Sequence, residues 1–184
     1  MNREEKKATF RELALKGLNK KRINNYKKDK IITNRVAKLI KKNRYHNIML
    51  YIPLKSEVDI SHLIKLLREN RYNLFVPSME GKSFKLVKYR LPLYKKKFGI
   101  KEPKKSKLRV NKIDLAIVPI LGVDKNYKRV GFGKGMYDRF YEKFGNNIKD
   151  TLFISRELFY TKETITNSYD ISANYLLFNS KIEI

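Results

Sequence analysis

Cysteine is absent from the 184 residues, and so is tryptophan. Without cysteine there is no disulfide, no thiol nucleophile and no thiolate-based zinc site. Histidine is scarce: His46 and His62 alone do not make a histidine-rich metal centre. No apolar run approaches the ~20 residues a membrane-spanning helix needs. The longest are Leu115–Leu121, interrupted by Pro119, and Ile48–Leu54. Behind the start Met1-Asn-Arg-Glu-Glu-Lys-Lys there is no apolar signal segment. Repeats, Gly/Ser-rich linkers and low-complexity tails are missing as well. These absences give the expectation of one cytoplasmic, membrane-free domain over residues 1–184; a monomer is expected, although the sequence itself leaves the oligomeric state open.

What the chain has in excess is positive charge: 43 Lys and Arg against 18 Asp and Glu, a net +25. A basic nucleic-acid binder is one reading, helped by 12 tyrosines available for base stacking. An enzyme for polyanionic small molecules, which gains on-rate from a positive field, is another. The third is a composition bias, since Lys, Asn, Ile and Tyr are abundant while Ala and Gly are scarce. The lysines are dispersed along the chain and no nucleic-acid module is recognisable, so no specific nucleic-acid partner is expected.

The hydrophobic spacing predicts helices through residue 43, with Phe10, Leu13 and Leu18, then Ile32, Val36, Leu39 and Ile40, on their inner faces and a break within Gly17–Asn25. His46–Pro53 reads as a buried strand. Asp59 or Ser61 caps a helix carrying Ile60, Leu63, Ile64 and Leu67 and ended by Glu69-Asn70. Asn73–Val76 reads as a strand stopped by Pro77, Phe84–Tyr89 as another, and Lys95–Lys107 as a basic loop. Ile113–Val118 is a second buried strand, followed by a long loop through Lys128. A helix with Met136, Tyr137, Phe140, Tyr141 and Phe144 on one side precedes strands at Thr151–Ser155 and Asn174–Phe178. The alternation predicts an α/β fold: a single domain whose mainly parallel sheet carries helices on both faces, a Rossmann-like three-layer arrangement. Ligands of such sheets bind beyond the strands' carboxyl ends, where Pro53–Glu57 and Pro119–Gly135 both fall.

Gly131, Gly133 and Gly135 are three of only eight glycines, packed into five positions. Alternate glycines let the backbone adopt positive φ and let a ligand approach its N–H groups. The following helix offers its first-turn N–H groups to an anion, with Lys134 and Arg129 as cations. Neither a Walker loop nor a dinucleotide fingerprint is present. By spacing alone, a phosphate cradle and a flexible turn with incidental charges both remain open.

The run Val118-Pro-Ile-Leu-Gly-Val-Asp124, then Arg129-Val-Gly-Phe-Gly-Lys-Gly-Met-Tyr-Asp-Arg139, closely resembles the signature of 5-formyltetrahydrofolate cyclo-ligases. Three further segments agree in order and spacing: Lys7-Ala-Thr-Phe-Arg11, Tyr51–Ser61 around Glu57, and Phe98-Gly-Ile-Lys-Glu-Pro103. The resemblance extends from about Lys6 to Phe178. It implies use of MgATP to convert 5-formyltetrahydrofolate to 5,10-methenyltetrahydrofolate, with release of ADP and phosphate.

The resemblance also implies residue roles. Lys7, Arg11 and the run Arg129, Val130, Gly131, Phe132, Gly133, Lys134, Gly135, Met136 and Tyr137 are expected to bind ATP. Arg11, Ile52, Glu57 and Phe132–Met136 (Gly133, Lys134 and Gly135 included) are expected to meet the folate, and Lys134 and Tyr137 to act in catalysis. Asp138 and Asp170 are expected to hold Mg²⁺. The family usually has His where this chain has Tyr169. The lysines at 95–97, 101, 104 and 105 could meet a polyanionic folate tail or express the composition bias. A relative that binds folate without turnover is the remaining alternative.

Overall fold

The computed structural model describes residues 1–20, 24–96, 101–104, 110–178 and 181–183. Two helices lead: α1 over Arg3–Lys20 and α2 over Asn25–Lys42. The expected break lies between them, and residues 21–23 fall outside the described chain. A short strand β1 (Asn47–Met49) is followed by α3 (Ser61–Glu69), β2 (Asn73–Glu80) and β3 (Ser83–Lys88). Then come β4 (Leu93–Lys95), β5 (Lys101–Pro103), β6 (Ile113–Pro119), β7 (Gly122–Val123) and β8 (Arg129–Val130). Helix α4 (Met136–Phe144), β9 (Ile148–Ser155), β10 (Phe159–Tyr160), β11 (Tyr175–Phe178) and β12 (Lys181–Glu183) complete the order.

The main sheet has seven strands in the order β12-β11-β9-β6-β1-β2-β3. Its five central strands are parallel, and β3 and β12 close the two edges antiparallel. Alternate strand residues feed two separate cores, as period-two geometry demands. Ile48, Leu50, Leu74, Val76, Leu115, Ile117, Leu152 and Ile154 pack with Ile32, Val36 and Ile40 of α2 and Leu63, Ile64 and Leu67 of α3. Met49, Phe75, Ala116, Val118 and Phe153 face the other way, onto Phe140 of α4. Each such fully buried Ile or Leu contributes about 1.5–3 kcal/mol, so the two cores fix the three-layer arrangement that the alternation of elements predicts.

Three expectations about strands and loops need correction. Pro77 does not stop its strand: β2 runs on to Glu80, pairing Pro77 with Leu86 of β3. Phe75 turns its carbonyl toward Leu50, so Pro77, two residues on, faces that same side. There β1 has already ended, and no ladder bond needs the missing N–H. The basic loop contains the small antiparallel sheet β4–β5; residues 97–100 and 105–107 of it, with Phe98-Gly-Ile of the Glu-Pro block, lie outside the described chain. The loop after β6 contains a three-stranded sheet, β10-β7-β8.

Helix α1 packs against that small sheet. Gly122 of β7 leaves room for the Phe10 ring and the Phe159 carbonyl, and Gly17 for the Phe159 ring. Leu13, expected inside, is 62 % exposed, whereas Ala14 is buried. No described helix is long and apolar enough to cross a membrane.

Candidate active site

Strand β1 connects to β2 on one side, while β6 lies on its other side. This is a point of reversal in strand order, where the loops leaving adjacent parallel strands diverge and open a crevice. Residues following β1 and β6 line a cavity of about 840 Å³ there, within the usual range for small-molecule sites.

Helix α1 forms one wall. Lys7 is buried, and its ammonium donates to both carboxylate oxygens of Asp170, at 2.8 and 2.6 Å. Asp170 Oδ2 also accepts the N–H of Asn167 at 2.7 Å. One turn on, Arg11 Nε donates to the carbonyl of Gly131 at 3.2 Å. The four-residue spacing does place both cations toward one cavity. Lys7, however, arrives already paired.

Beneath the glycine loop lies Arg129, only 6 % exposed. Its Nε and Nη2 donate to the Pro119 carbonyl at 3.3 and 3.2 Å, and its guanidinium carbon sits 4.7 Å from the centre of the Tyr137 ring. Gly131 leaves the space this guanidinium fills, since a Cβ there would overlap it. Gly133 and Gly135 serve differently: their φ values are +91° and +58°, and Gly135 forms the left-handed N-cap of α4. Arg139 clamps the loop's far shoulder by donating to the carbonyls of Lys82 and Lys134. Ser83 Oγ donates to Met136 O at 3.3 Å.

Asp124 anchors the approach to this loop. Its buried carboxylate accepts the N–H groups of Asn126, Lys128, Ile165 and Thr166 and the Thr166 hydroxyl. Burial alone would raise its pKa, but the bonds from Thr166, Asn126 and Lys128 hold the carboxyl below its usual range.

Glu57 lines the same cavity from the loop after β1. It accepts the Leu54 N–H at 2.9 Å. Burial raises its pKa, against the lowering effect of that N–H, Arg129 and Arg156. Burial, with the Glu57 charge second, raises the Tyr137 phenol well above its usual range, so this group is a neutral donor at physiological pH and not a base. The Tyr137 ring also packs edge-on against Phe84, 5.1 Å between centroids. Asp138 Oδ1 is buried and has no hydrogen-bond partner among the described residues. Desolvation lowers the Arg129 pKa, while the charge of Asp138, foremost among its neighbours, acts in the opposite direction.

Lys7, Arg11, Ile52, Glu57, Arg129, Gly131–Asp138 and Asp170 thus all line one cavity. Val130 does not: it is fully buried, and its carbonyl accepts the Leu121 N–H in β8 pairing. Sequence reasoning gave no role to Asp124, Arg139 or Glu102. The last accepts from Ser78 Oγ and the Met79 N–H at 2.9 and 3.0 Å and ties β5 to β2 at the cavity. The Asp124-Lys-Asn turn sequence was a usable signal for the first; for the other two only tertiary contact reveals the partner. Among the described residues, seven Lys and Arg face six Asp and Glu across the lining, so these residues carry little of the +25 surplus.

The sequence profile of the 5-formyltetrahydrofolate cyclo-ligase family matches residues 3–167. A 5-formyltetrahydrofolate cyclo-ligase of Haemophilus influenzae is 30 % identical over 123 residues, covering 62 % of this chain and 66 % of that protein. The chain thus spans just under two thirds of that relative's length, and 60 % of a Mycoplasma genitalium cyclo-ligase with 30 % identity over 114 residues. A solved 5,10-methenyltetrahydrofolate synthetase from Aquifex aeolicus superposes with a TM-score of 0.79 at 25 % identity, over 96 % of this chain and 91 % of that one. With the glycine loop, the α1 cations and Glu57 brought to one cavity, and a profile match over most of its length, the chain belongs to the 5-formyltetrahydrofolate cyclo-ligase family.

Proposed function

We propose that this protein cyclises 5-formyltetrahydrofolate to 5,10-methenyltetrahydrofolate at the expense of ATP, releasing ADP and phosphate, in the cytoplasm. One observation carries the reading. In a chain of this family, three separate segments, around Lys7, Glu57 and Gly131–Asp138, converge on one cavity.

The chemistry follows from the substrate. A formamide oxygen is a poor leaving group, so closure by N10 onto the formyl carbon stalls unless that oxygen is activated. Attack of the oxygen on the γ-phosphorus of ATP breaks the bond to the β-phosphate, expels ADP and makes the oxygen a phosphate ester. N10 then attacks the formyl carbon, gives up its proton to solvent and closes the ring as phosphate departs. Positioning and charge stabilisation supply most of the catalysis in such transfers.

This chain's residues divide that work. Arg11 and the exposed Lys134 neutralise phosphate oxygens, and N–H groups of the glycine loop and the start of α4 cradle them. Arg129 acts from below: paired with Pro119 O, it holds Tyr137 in place and adds fixed positive charge under the loop. Tyr137 donates a hydrogen bond toward the reacting oxygens. Glu57 accepts N–H groups of the pterin, and Ile52 and Phe132 line its apolar faces.

Asp138 fits the expected magnesium ion, because its buried Oδ1 has no other partner among the described residues. Asp170 fits with less capacity. Lys7 and Asn167 use about three of a carboxylate's four acceptor positions. Two carboxylates, phosphate oxygens and water make a normal magnesium shell, and the ion would supply charge neutralisation on the phosphates. The decisive experiment incubates the purified protein with 5-formyltetrahydrofolate and MgATP. Appearance of the near-ultraviolet methenyl absorbance with equimolar ADP is expected; neither product appearing would overturn the proposal.

A further inference from the structure

Behind the Glu57 wall, two consecutive residues of α2 meet two consecutive residues following β9 in opposite charge order. Lys28 Nζ lies 2.5 Å from Glu157. Arg156 grips Asp29 in a two-pronged pair, Nε to Oδ1 at 2.7 Å and Nη2 to Oδ2 at 2.8 Å. Asp29 and Arg156 are 7 % and 8 % exposed. A fork-to-carboxylate pair of this kind fixes both side chains in orientation as well as distance.

Each partner also holds the loop after β1. Asp29 Oδ2 accepts the Asp59 N–H at 3.1 Å, and Arg156 Nη1 donates to the Lys55 carbonyl at 3.5 Å. These two anchor points bracket Glu57, whose own backbone N–H and carboxylate both turn back to Leu54. Neither Asp29 nor Arg156 lines the cavity. Any effect they have on a ligand must pass through the loop.

We propose that Arg156 and Asp29 are positioning residues for the folate: their buried pair holds residues 55–59 so that Glu57 projects into the cavity ready-placed. The inference rests on the reading of Glu57 as the pterin ligand. A pair serving stability alone would lower thermal stability and reduce the use of both substrates alike. A pair that places Glu57 spares ATP, whose expected contacts lie on α1 and the glycine loop.

The test compares KM for 5-formyltetrahydrofolate and for ATP, with kcat and melting temperature, in Arg156→Ala and Asp29→Asn/Arg156→Met. The second variant leaves no buried charge unpaired, so it keeps the test open if the first does not fold. Arg156→Lys keeps the charge but loses the fork and the reach to Lys55, and serves where neither of the others folds. Folded variants are expected to raise the folate KM about tenfold, the scale of one lost charged hydrogen bond, with ATP KM and kcat within about twofold. Combined with Glu57→Ala, the pair variant should add almost nothing. No rise in folate KM from Glu57→Ala alone would sink the underlying reading. A rise from Glu57→Ala with none from the folded pair variants, equal rises for both substrates, or effects that multiply, would overturn the positioning role.

Discussion

The guanidinium of Arg129 fills the space that any side chain at position 131 would need. It is the far end of a flexible side chain, so Gly131→Ala is met by displacement of Arg129 rather than by unfolding. The displaced group loses the Pro119 carbonyl and the face of Tyr137. Stability should fall by about 1–3 kcal/mol, the range for a disrupted buried polar group. ATP-dependent turnover should fall by about a hundredfold or more, as expected for loss of preorganised charge at phosphoryl transfer. Thermal melts beside steady-state kinetics check this, and parallel small losses would show that Arg129 is structural only.

Lys134 offers the opposite balance. Its side chain is exposed at the cavity, so Lys134→Ala should stay within about 0.5 kcal/mol of the parent in stability. The kcat/KM for ATP should nevertheless drop about a hundredfold. Equal loss of stability and activity would remove Lys134 from the phosphate site.

The two acidic residues at the cavity should separate under magnesium titration. Asp138→Asn removes charge from a carboxylate with an oxygen unengaged among the described residues, and the magnesium concentration for half-maximal activity should rise at least about tenfold. Asp170→Asn breaks the charge pairing of a buried lysine. Destabilisation of about 3–5 kcal/mol should dominate there, with a smaller shift in magnesium demand. Identical magnesium curves for Asp138→Asn and the parent would exclude Asp138 as a ligand.

Glu57 carries a pH signature. Burial raises its folded pKa above the ordinary carboxylate value, so the folded state binds more protons than the unfolded one through that interval. Its contribution to stability is therefore fully present below the unfolded pKa and is lost as pH rises through the folded pKa. Relative to the parent, Glu57→Gln should gain stability as pH increases across that window. If the ionised carboxylate binds pterin N–H groups, kcat/KM for folate should rise with pH on a limb above the ordinary carboxylate range. Glu57→Gln should abolish that limb. Survival of the limb in the variant would assign it to another group.

Much of this architecture was legible because buried strands and amphipathic helices write their period into the chain. Ile113–Pro119 and the Ile32, Val36, Ile40 face are examples. What escaped depended on partners distant in sequence. Pro77 stays in a strand because β1 ends beside it. The sheet β10-β7-β8 is built from two-residue strands too short to carry a pattern. At the site, the glycine spacing marked the loop. It could not show that Gly131 serves Arg129 while Gly133 and Gly135 serve the backbone, nor that Lys7 would be claimed by a residue 163 positions away.

The seating of α1 on the small sheet has a thermodynamic corollary. This helix presents no continuous apolar stripe, with Leu13 and Leu15 both exposed. Its attachment draws on Phe10, on the Lys7–Asp170 pair and on the bond from Arg11 to Gly131, two of which lie in the cavity itself. A nucleotide that recruits Lys7 and Arg11 therefore exchanges free energy with the docking of the whole helix. By reciprocity, the factor by which the nucleotide changes the docking of α1 is the factor by which the docking of α1 changes the affinity for the nucleotide.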